Sequence, residues 1–212
     1  MRSIRCVLQL AFVTMIAACG TGDAADNSKA AGTSMERMAS SRINALIELH
    51  ESDQPLFGLY APSARARTGA DMPPSPKSPT ERAAEAMGFG MSDYVFDGSM
   101  EGGVERGLPA FLEFRNAMQA AGADASSHPF VVKMAKLESE EQASREVGLQ
   151  LNAGVSGIMF VEVESAEEAR WGLEAMRYAD DGGTRPNGVG VAPGYWGVSE
   201  AIYLEKADLW PL

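Results

Sequence analysis

Four short apolar runs, each followed by a stretch with helical spacing of apolar residues, constrain the fold of this chain most. The runs are LFGLY (56–60), DYVFD (93–97), FVVKM (130–134) and GIMFV (157–161), and the helical patterns cover 79–88, 104–121, 138–151 and 165–178. Mostly apolar runs of this length are typical of strands that are buried on both faces of a parallel sheet. The alternation therefore predicts a parallel α/β fold with the strands in the order 1-2-3-4.

The segment after the first strand helps to choose between parallel architectures. A Rossmann domain needs a glycine-rich phosphate turn there, and GLYAPSARAR contains no G-x-G-x-x-G pattern. A (β/α)8 barrel fits the repeating unit, although it takes eight units and typically about 250 residues. This chain of 212 residues shows four units, and EAIYLEKADLWPL (200–212) stands where a fifth strand should begin. The sequence thus predicts the first four units of a TIM-barrel-type fold over residues 34–212.

Residues 1–18 do not belong to this fold. They place two arginines before an apolar run from Cys6 to Ile16, which is the pattern of a secretory signal peptide and is too short for a stable transmembrane helix. The ending IAAC (16–19) resembles a bacterial lipobox, which predicts cleavage before Cys19 and lipidation of its thiol. An ordinary signal peptide that ends near a cysteine is the alternative. The lipobox interpretation predicts an exported lipoprotein that is anchored to a membrane.

Composition narrows the classes of function. A formal net charge of −11 argues against nucleic acid as a partner and against direct adsorption on anionic lipid. Cys6 and Cys19 are the only cysteines, so the body of the protein has no thiol for a disulfide, a zinc site or a nucleophile. Residues 19–33 are small and polar and predict a flexible tether. A helix is expected over 35–49, with Ser34 as its N-cap.

The fourth unit carries the most specific motif. VESAEEARWGLEAMRYADDGGTRPNGVG (163–190) resembles the strand-end acid, helix start and glycine-rich turn of the HpcH/HpaI aldolase/citrate lyase family. MGFGMSDYVFDGSMEG (87–102) and HPFVVKM (128–134) are similar to that family's second and third strands. The resemblance, over roughly residues 45–212, implies a barrel that makes or breaks carbon–carbon bonds beside a pyruvate enolate. It also implies a 2-oxo acid substrate and a divalent cation, Mg²⁺ or Mn²⁺, that stabilises the enolate charge. Hexamers are common in the family, so a homo-oligomer is compatible with it.

By this resemblance Asp97 matches the family's aspartate at the end of the second strand, on the side of a barrel where active sites form. An acid that caps the following loop is the alternative. Met100 replaces a histidine that handles the proton, so the neighbouring Glu101 is the candidate for that catalytic step. Lys133 replaces a substrate-binding arginine, and it keeps the charge but loses the planar two-pronged grip on a carboxylate.

Two further residues are candidates for substrate binding by the same resemblance. Glu164 matches the strand-end acid of the fourth unit, and Arg185 in the glycine-rich turn is a candidate anion contact. Alternatively, Glu164 is a helix-start acid, with Ser165 as N-cap and Glu168 completing a capping box. The turn around Arg185 is alternatively a plain surface loop.

The sequence offers no metal-ligand set, because in the family the two ligating carboxylates come from the fifth and sixth strands. Glu162 and Glu164 are expected on one face of a strand, but two such acids are a common arrangement. His50 and His128 are expected to be structural or solvated, since both fall toward the opposite end of the strands.

Three functions stay open from the sequence. The first is a metal-dependent carbon–carbon lyase that is inactive as this 212-residue chain. The second is a non-catalytic, lipid-anchored protein that binds a small acid, and the third is a degenerate or incomplete product. In each case Asp97, Lys133 and Glu164 are expected to lie together at one end of the sheet.

Overall fold

The computed structural model describes residues 43–64 and 76–207, which lie within the compact unit Ser40–Leu212. The expected signal peptide, lipidation of Cys19, tether and Ser34 cap lie outside the described residues and stay predictions. Within the two described ranges, no helix is long and apolar enough to cross a membrane.

Strands and helices alternate along the described chain, as the sequence predicts. The elements are α1 (Ala45–Glu51), β1 (Gly58–Tyr60), α2 (Pro79–Met87), β2 (Tyr94–Asp97), α3 (Val104–Ala120), β3 (Phe130–Lys133), α4 (Glu140–Asn152), β4 (Gly157–Met159), α5 (Ala166–Glu174), α6 (Ala192–Trp196) and α7 (Glu200–Ala207). A short 3-10 helix, Ala179–Asp181, lies between α5 and α6. All four predicted strands and the helix after each of them are present.

The four strands form one sheet in the order β1-β2-β3-β4, and every neighbouring pair is parallel. The predicted α/β class and strand order are confirmed. Asp97 lies beside Val132, one position before Lys133, so β2 and β3 end at the same edge of the sheet. We call this the carboxyl edge, and the opposite one the amino edge. Closure into a barrel stays a prediction.

An aromatic cluster joins the helices to the middle of the sheet. Phe130, the first residue of β3, is fully buried. Its ring centroid lies 5.1 Å from that of Phe111, 5.9 Å from that of Phe114 and 5.5 Å from that of Tyr195. Each such ring pair contributes about 0.5–1.5 kcal/mol beyond the area it buries. Helices α3 and α6 are therefore fixed against the amino-terminal half of β3.

The strands are shorter than the apolar runs. β1 begins at Gly58 because the N–H of Phe57 donates to Oδ2 of Asp93 at 2.8 Å instead of joining the ladder. β4 ends at Met159, and Glu162 adopts a left-handed backbone with φ of 53°. That turn breaks the alternation of side chains along a strand. The expectation that Glu162 and Glu164 share one strand face is therefore wrong.

A helix occupies the position where a fifth strand was expected to begin. Residues Glu200–Ala207 form α7, and Ser199 Oγ accepts a hydrogen bond from the N–H of Ile202 at 3.3 Å in its first turn. An acid in the first turn and Lys206 in the last turn both suit the helix dipole. Tyr203 of this helix is buried.

Candidate binding site at the carboxyl edge

Asp97 ends β2 and is only 2% exposed. Its Oδ1 accepts a hydrogen bond from the backbone N–H of Ser99 at 2.8 Å, and its Oδ2 lies 4.0 Å from Nη2 of Arg82. The first contact supports the interpretation of Asp97 as a loop-capping acid. The second places a positive charge beside the buried carboxylate, which offsets the cost of burying it.

Arg82 reaches this edge from the first turn of α2. Ser78 caps that helix: its Oγ accepts from the N–H of Glu81, whose carboxylate accepts from the N–H of Ser78 at 2.7 Å. This reciprocal pair is a capping box and fixes the start of the helix. Nε of Arg82 donates to the carbonyl oxygen of Pro62 at 2.6 Å, and the guanidinium lies 4.4 Å from the ring centroid of Phe114. These contacts hold the arginine in one orientation.

A cavity of about 200 Å³ opens beside Asp97 and Arg82, and its walls include Tyr60, Ser63 and Ser99. Among the described residues, the terminal nitrogen atoms of Arg82 have no hydrogen-bond acceptor, since only Nε donates. Burial lowers the pKa of Arg82 and the charge of Asp97 opposes that shift. The guanidinium stays protonated at neutral pH. The cavity thus contains an arginine beside a buried aspartate, and among the described residues the terminal nitrogen atoms of the arginine make no hydrogen bond.

Lys133 and Glu101 form an ion pair at the same edge. Nζ of Lys133 donates to Oε1 of Glu101 at 2.5 Å, with the two side chains 30% and 51% exposed. An exposed pair of this kind contributes about 0–1 kcal/mol. Neither residue lines the cavity beside Arg82. Met100, at the position of the family's histidine, is fully buried in the core. The prediction that Asp97 and Lys133 lie at one end of the sheet is confirmed.

Glu164 joins this edge through Lys136, whose Nζ donates to its Oε2 at 2.6 Å. That hydrogen bond and the lysine charge lower the pKa of Glu164. The helix-start interpretation also holds in part, because Ser165 Oγ accepts from the N–H of Glu168 at 3.1 Å and caps α5. The Glu168 carboxylate, however, accepts from the N–H of Glu164 at 3.0 Å. The predicted capping box therefore does not close on Ser165.

Arg185 does not lie at this edge. It is 1% exposed, and its Nη2 donates to Oδ1 of Asn152 at 2.6 Å. Asn152 ends α4, the helix that leads into the start of β4, so the guanidinium lies toward the amino edge. The N–H of Arg185 donates to the carbonyl of Arg177 at 2.8 Å, which explains why α5 ends earlier than predicted. Arg185 and Lys133 therefore lie toward opposite edges of the sheet. The burial of Arg185 also excludes the alternative that its side chain belongs to an exposed surface loop.

The histidines lie away from the carboxyl edge, as expected. His128 precedes β3, and the hydroxyl of Tyr195 donates to its backbone carbonyl at 2.7 Å. Burial lowers the pKa of His128, with Asp124 opposing that shift. His50 is in the last turn of α1 and lines a different cavity, near the amino end of β4.

The described residues do not fit a divalent cation at the carboxyl edge. In the ranges 43–64 and 76–207, no three His, Cys, Asp or Glu side chains come together in a way that could hold a metal ion. Each acid at this edge lies beside a lysine or an arginine instead. Because Mg²⁺ and Mn²⁺ need several oxygen ligands around one point, the cation implied by the resemblance finds no ligand set among these residues.

Comparisons with known proteins assign no family to this chain, so its class of protein rests on the structure. No protein-family model matches the chain, and no curated protein matches it. What the structure shows is an α/β protein with a four-stranded parallel sheet and seven α-helices in the part of the chain that it describes.

Sequence reasoning missed Arg82, the arginine that lines the cavity beside Asp97. A signal was present, because the residue lies one turn after Ser78, at the start of a helix that follows a strand and a long loop. In a parallel βα unit the start of the helix lies on the same side as the end of the strand. A basic residue in that first turn is therefore a candidate for the carboxyl edge.

Proposed function

We propose that the carboxyl edge of the sheet binds a small carboxylic acid of the 2-oxo acid class. The observation that carries this proposal is the Arg82 guanidinium, which lines a cavity of about 200 Å³ and keeps its terminal nitrogen atoms unbonded to the described residues. A planar guanidinium donates to both oxygens of a carboxylate at once. Lys133 lies at the same edge but does not line this cavity, so the proposal rests on Arg82.

Size and charge favour a monocarboxylate. At about 30 Å³ for each water molecule, the cavity has the volume of roughly six or seven waters, which suits a small ligand such as pyruvate. Asp97 lies 4.0 Å from the arginine and supplies a negative charge to the same cavity. A second carboxylate on the ligand would meet that charge at close range, so dicarboxylates are disfavoured.

Binding without cleavage fits these residues better than a lyase reaction does. Carbon–carbon cleavage beside a carbonyl needs a group that stabilises enolate charge and a group that moves the proton. Met100 is buried and has no proton to move. Glu101, the candidate for that step, is already paired with Lys133. The motif at 163–190 supports a 2-oxo acid as the ligand, and the site supports its capture.

The test is calorimetric titration of the chain with pyruvate and with pyruvamide, its neutral analogue. We expect pyruvate to bind and pyruvamide to bind at least tenfold more weakly, because only the carboxylate makes charge-assisted hydrogen bonds. Arg82→Gln should weaken pyruvate binding at least tenfold, and Arg82→Lys by a smaller factor.

The matched control is Arg170→Gln, which removes an exposed cation that pairs with Glu174 on α5. It should leave pyruvate affinity unchanged. Circular dichroism of each variant confirms that it is folded. Equal affinity of the wild type and a folded Arg82→Gln variant, or absence of pyruvate binding, contradicts the proposal.

A further inference from the structure

A second and larger cavity, of about 390 Å³, lies near the amino end of β4. Apolar side chains from α1, β4 and α5 form much of its wall, among them Leu46, Ile47, Ile158 and Leu173. It shares no lining residue with the cavity at the carboxyl edge. A pocket of this size and apolar character suits a ligand with a hydrocarbon body and a few polar contacts.

Unpaired polar atoms gather around this cavity. Six buried side-chain nitrogen or oxygen atoms in the described chain have no hydrogen-bond partner, and three of them belong to side chains that line it. They are Nε of Arg185, Nε1 of Trp196 and Oγ of Ser156. All three carry a hydrogen to donate. Because buried donors are ordinarily paired, this group indicates an acceptor that the described residues do not supply.

Arg185 also has no acid beside it among the described residues. Its Nη2 donates to the neutral groups Asn152 Oδ1, at 2.6 Å, and Tyr203 Oη, at 3.5 Å. The guanidinium lies 4.3 Å from the ring centroid of Tyr178. A buried cation without a counter-charge is unfavourable, and an anion in the adjacent cavity relieves that cost.

We propose that this cavity binds a medium-chain monocarboxylic acid, with its carboxylate toward Arg185 and Trp196 and its hydrocarbon chain along Leu46 and Ile47. At about 30 Å³ for each water molecule, the cavity has the volume of roughly a dozen waters, which suits an acid of medium chain length such as decanoic acid. The donor atoms are themselves buried, so side-chain rotations accompany binding. This site rests on residues other than those of the proposed pyruvate site and stands independently of it.

The head group is tested by titrating the full 212-residue chain with decanoate and with decanol, below the concentrations at which they form micelles. Both ligands offer the same hydrocarbon body. Decanoate should bind at least tenfold more tightly, because only the anion pairs with the buried guanidinium. Ile47→Trp fills the cavity and should weaken decanoate binding at least tenfold.

Trp196→Phe removes the unpaired N–H and keeps an aromatic ring. Among the described residues Nε1 has no partner, so the change breaks no hydrogen bond in the ligand-free protein, and any loss of stability reflects the packing of the larger ring against Tyr203. Its decanoate affinity should fall about fivefold or more, and its decanol affinity by a smaller factor, because a hydroxyl is a weaker acceptor than a carboxylate. Arg185→Gln should lower decanoate affinity further. If that variant does not fold, Trp196→Phe and Ile47→Trp decide.

The two sites are distinguished by crossed measurements. Arg82→Gln should leave decanoate affinity unchanged, and Trp196→Phe should leave pyruvate affinity unchanged. Equal affinity for decanol and decanoate overturns the assignment of the head group. Unchanged decanoate binding by Ile47→Trp overturns the assignment of the cavity. No binding of decanoate, as expected if a segment of the chain or a second copy fills the cavity, overturns the proposal as a whole.

Discussion

A substitution at Glu101 tests whether this acid has a catalytic role or only pairs with Lys133. Its carboxylate holds the Lys133 ammonium at 2.5 Å, and the pair is exposed to solvent. Neither residue lines the cavity that contains Arg82, so we expect Glu101→Gln to change pyruvate affinity by less than about twofold. Titration calorimetry measures this, with Glu174→Gln on α5 as the control. Weaker pyruvate binding would instead favour the proton-transfer role that the family resemblance implies.

Asp124, in the loop between α3 and β3, provides a test of pH dependence. Its carboxylate accepts hydrogen bonds from the backbone N–H and the hydroxyl of both Ser126 and Ser127, at 2.7–2.9 Å. Burial by itself would raise the pKa of Asp124, but the four hydrogen bonds lower it below the usual value of 3.8. The charged form is therefore favoured in the folded state.

A lowered folded-state pKa stabilises the protein above the unfolded pKa, and the contribution is lost as the pH falls through the folded value. We expect Asp124→Ala to cost about 1–2 kcal/mol of unfolding free energy at neutral pH, and less as the pH drops below 3.8. Urea denaturation at several pH values measures the difference. Asp180→Ala, in the exposed 3-10 turn, is the control. A measured Asp124 pKa of 3.8 or above in the folded protein contradicts this prediction.

Gly107 and Gly148 are both buried glycines within helices, but they differ in the space that a side chain would have. A Cβ at Gly107 in α3 would lie 2.3 Å from the carbonyl oxygen of Ser99, which is backbone of the loop that carries Glu101. A Cβ at Gly148 in α4 would have its nearest neighbour, Cδ of Pro186, at an ordinary 3.4 Å. The first helix needs a glycine for close packing, whereas the second has room for alanine.

We expect Gly107→Ala to lower the unfolding free energy by about 1–3 kcal/mol, because overpacking outweighs the gain in helix propensity. It should also weaken pyruvate binding, since the displaced loop leads from Asp97 to Glu101. Gly148→Ala should leave stability unchanged or raise it by up to about 1 kcal/mol. Chemical denaturation of both variants measures this, and an equal effect of the two substitutions would contradict it.

Apolar patterning predicted where the strands and helices lie, and contacts between distant residues decided where they end. The run at 56–60 reads as five strand residues, yet the side chain of Asp93 takes the N–H of Phe57 out of the ladder. The helical pattern at 165–178 continues past Glu174, but the helix ends there, and the carbonyl oxygen atoms of Glu174 and Arg177 accept hydrogen bonds from the N–H groups of Thr184 and Arg185. Such contacts depend on the tertiary fold, which a local pattern does not contain.

The site was predictable to the extent that it follows from sheet geometry. Parallel neighbouring strands end at the same edge, so the positions of Asp97 and Lys133 follow from locating β2 and β3. Arg82 depends on where the long segment after β1 returns to the sheet. Arg185 lies toward the other edge because the turn after α5 folds back on the end of α4. Neither placement follows from spacing along the sequence.

Attachment of the whole protein to a membrane is tested through Cys19, which lies outside the described residues. The lipobox-like ending IAAC (16–19) predicts that Cys19 becomes the lipidated N-terminus. Cys19→Ser should then move the protein from the membrane fraction to the soluble fraction, because a lipid chain supplies the hydrophobic attachment. Fractionation and intact mass measure this. An unchanged membrane fraction and mass for the variant would contradict lipidation.

The last prediction concerns turnover by the whole chain. We expect no metal-dependent aldolase activity from the 212-residue protein. The reason is electrostatic: aldol cleavage requires stabilisation of a developing enolate, and a cation does this only when several protein oxygens fix it. At the carboxyl edge Asp97, Glu101 and Glu164 each lie beside their own cation, so the described residues there offer no group of free oxygen ligands for a metal ion.

The measurement is pyruvate release from a panel of 4-hydroxy-2-oxo acids with Mg²⁺ or Mn²⁺, repeated with a chelator. We expect the protein to bind pyruvate but to produce none from these substrates. That result separates binding of the acid from cleavage of a carbon–carbon bond. Asp97→Asn serves as the matched variant, because it keeps the size of the side chain and removes the charge. Chelator-sensitive turnover that this substitution abolishes would contradict the prediction and assign metal binding to Asp97. In that case the carboxylate would have to exchange the nearby Arg82 for the metal ion, since the two cations would compete for the same buried oxygen atoms.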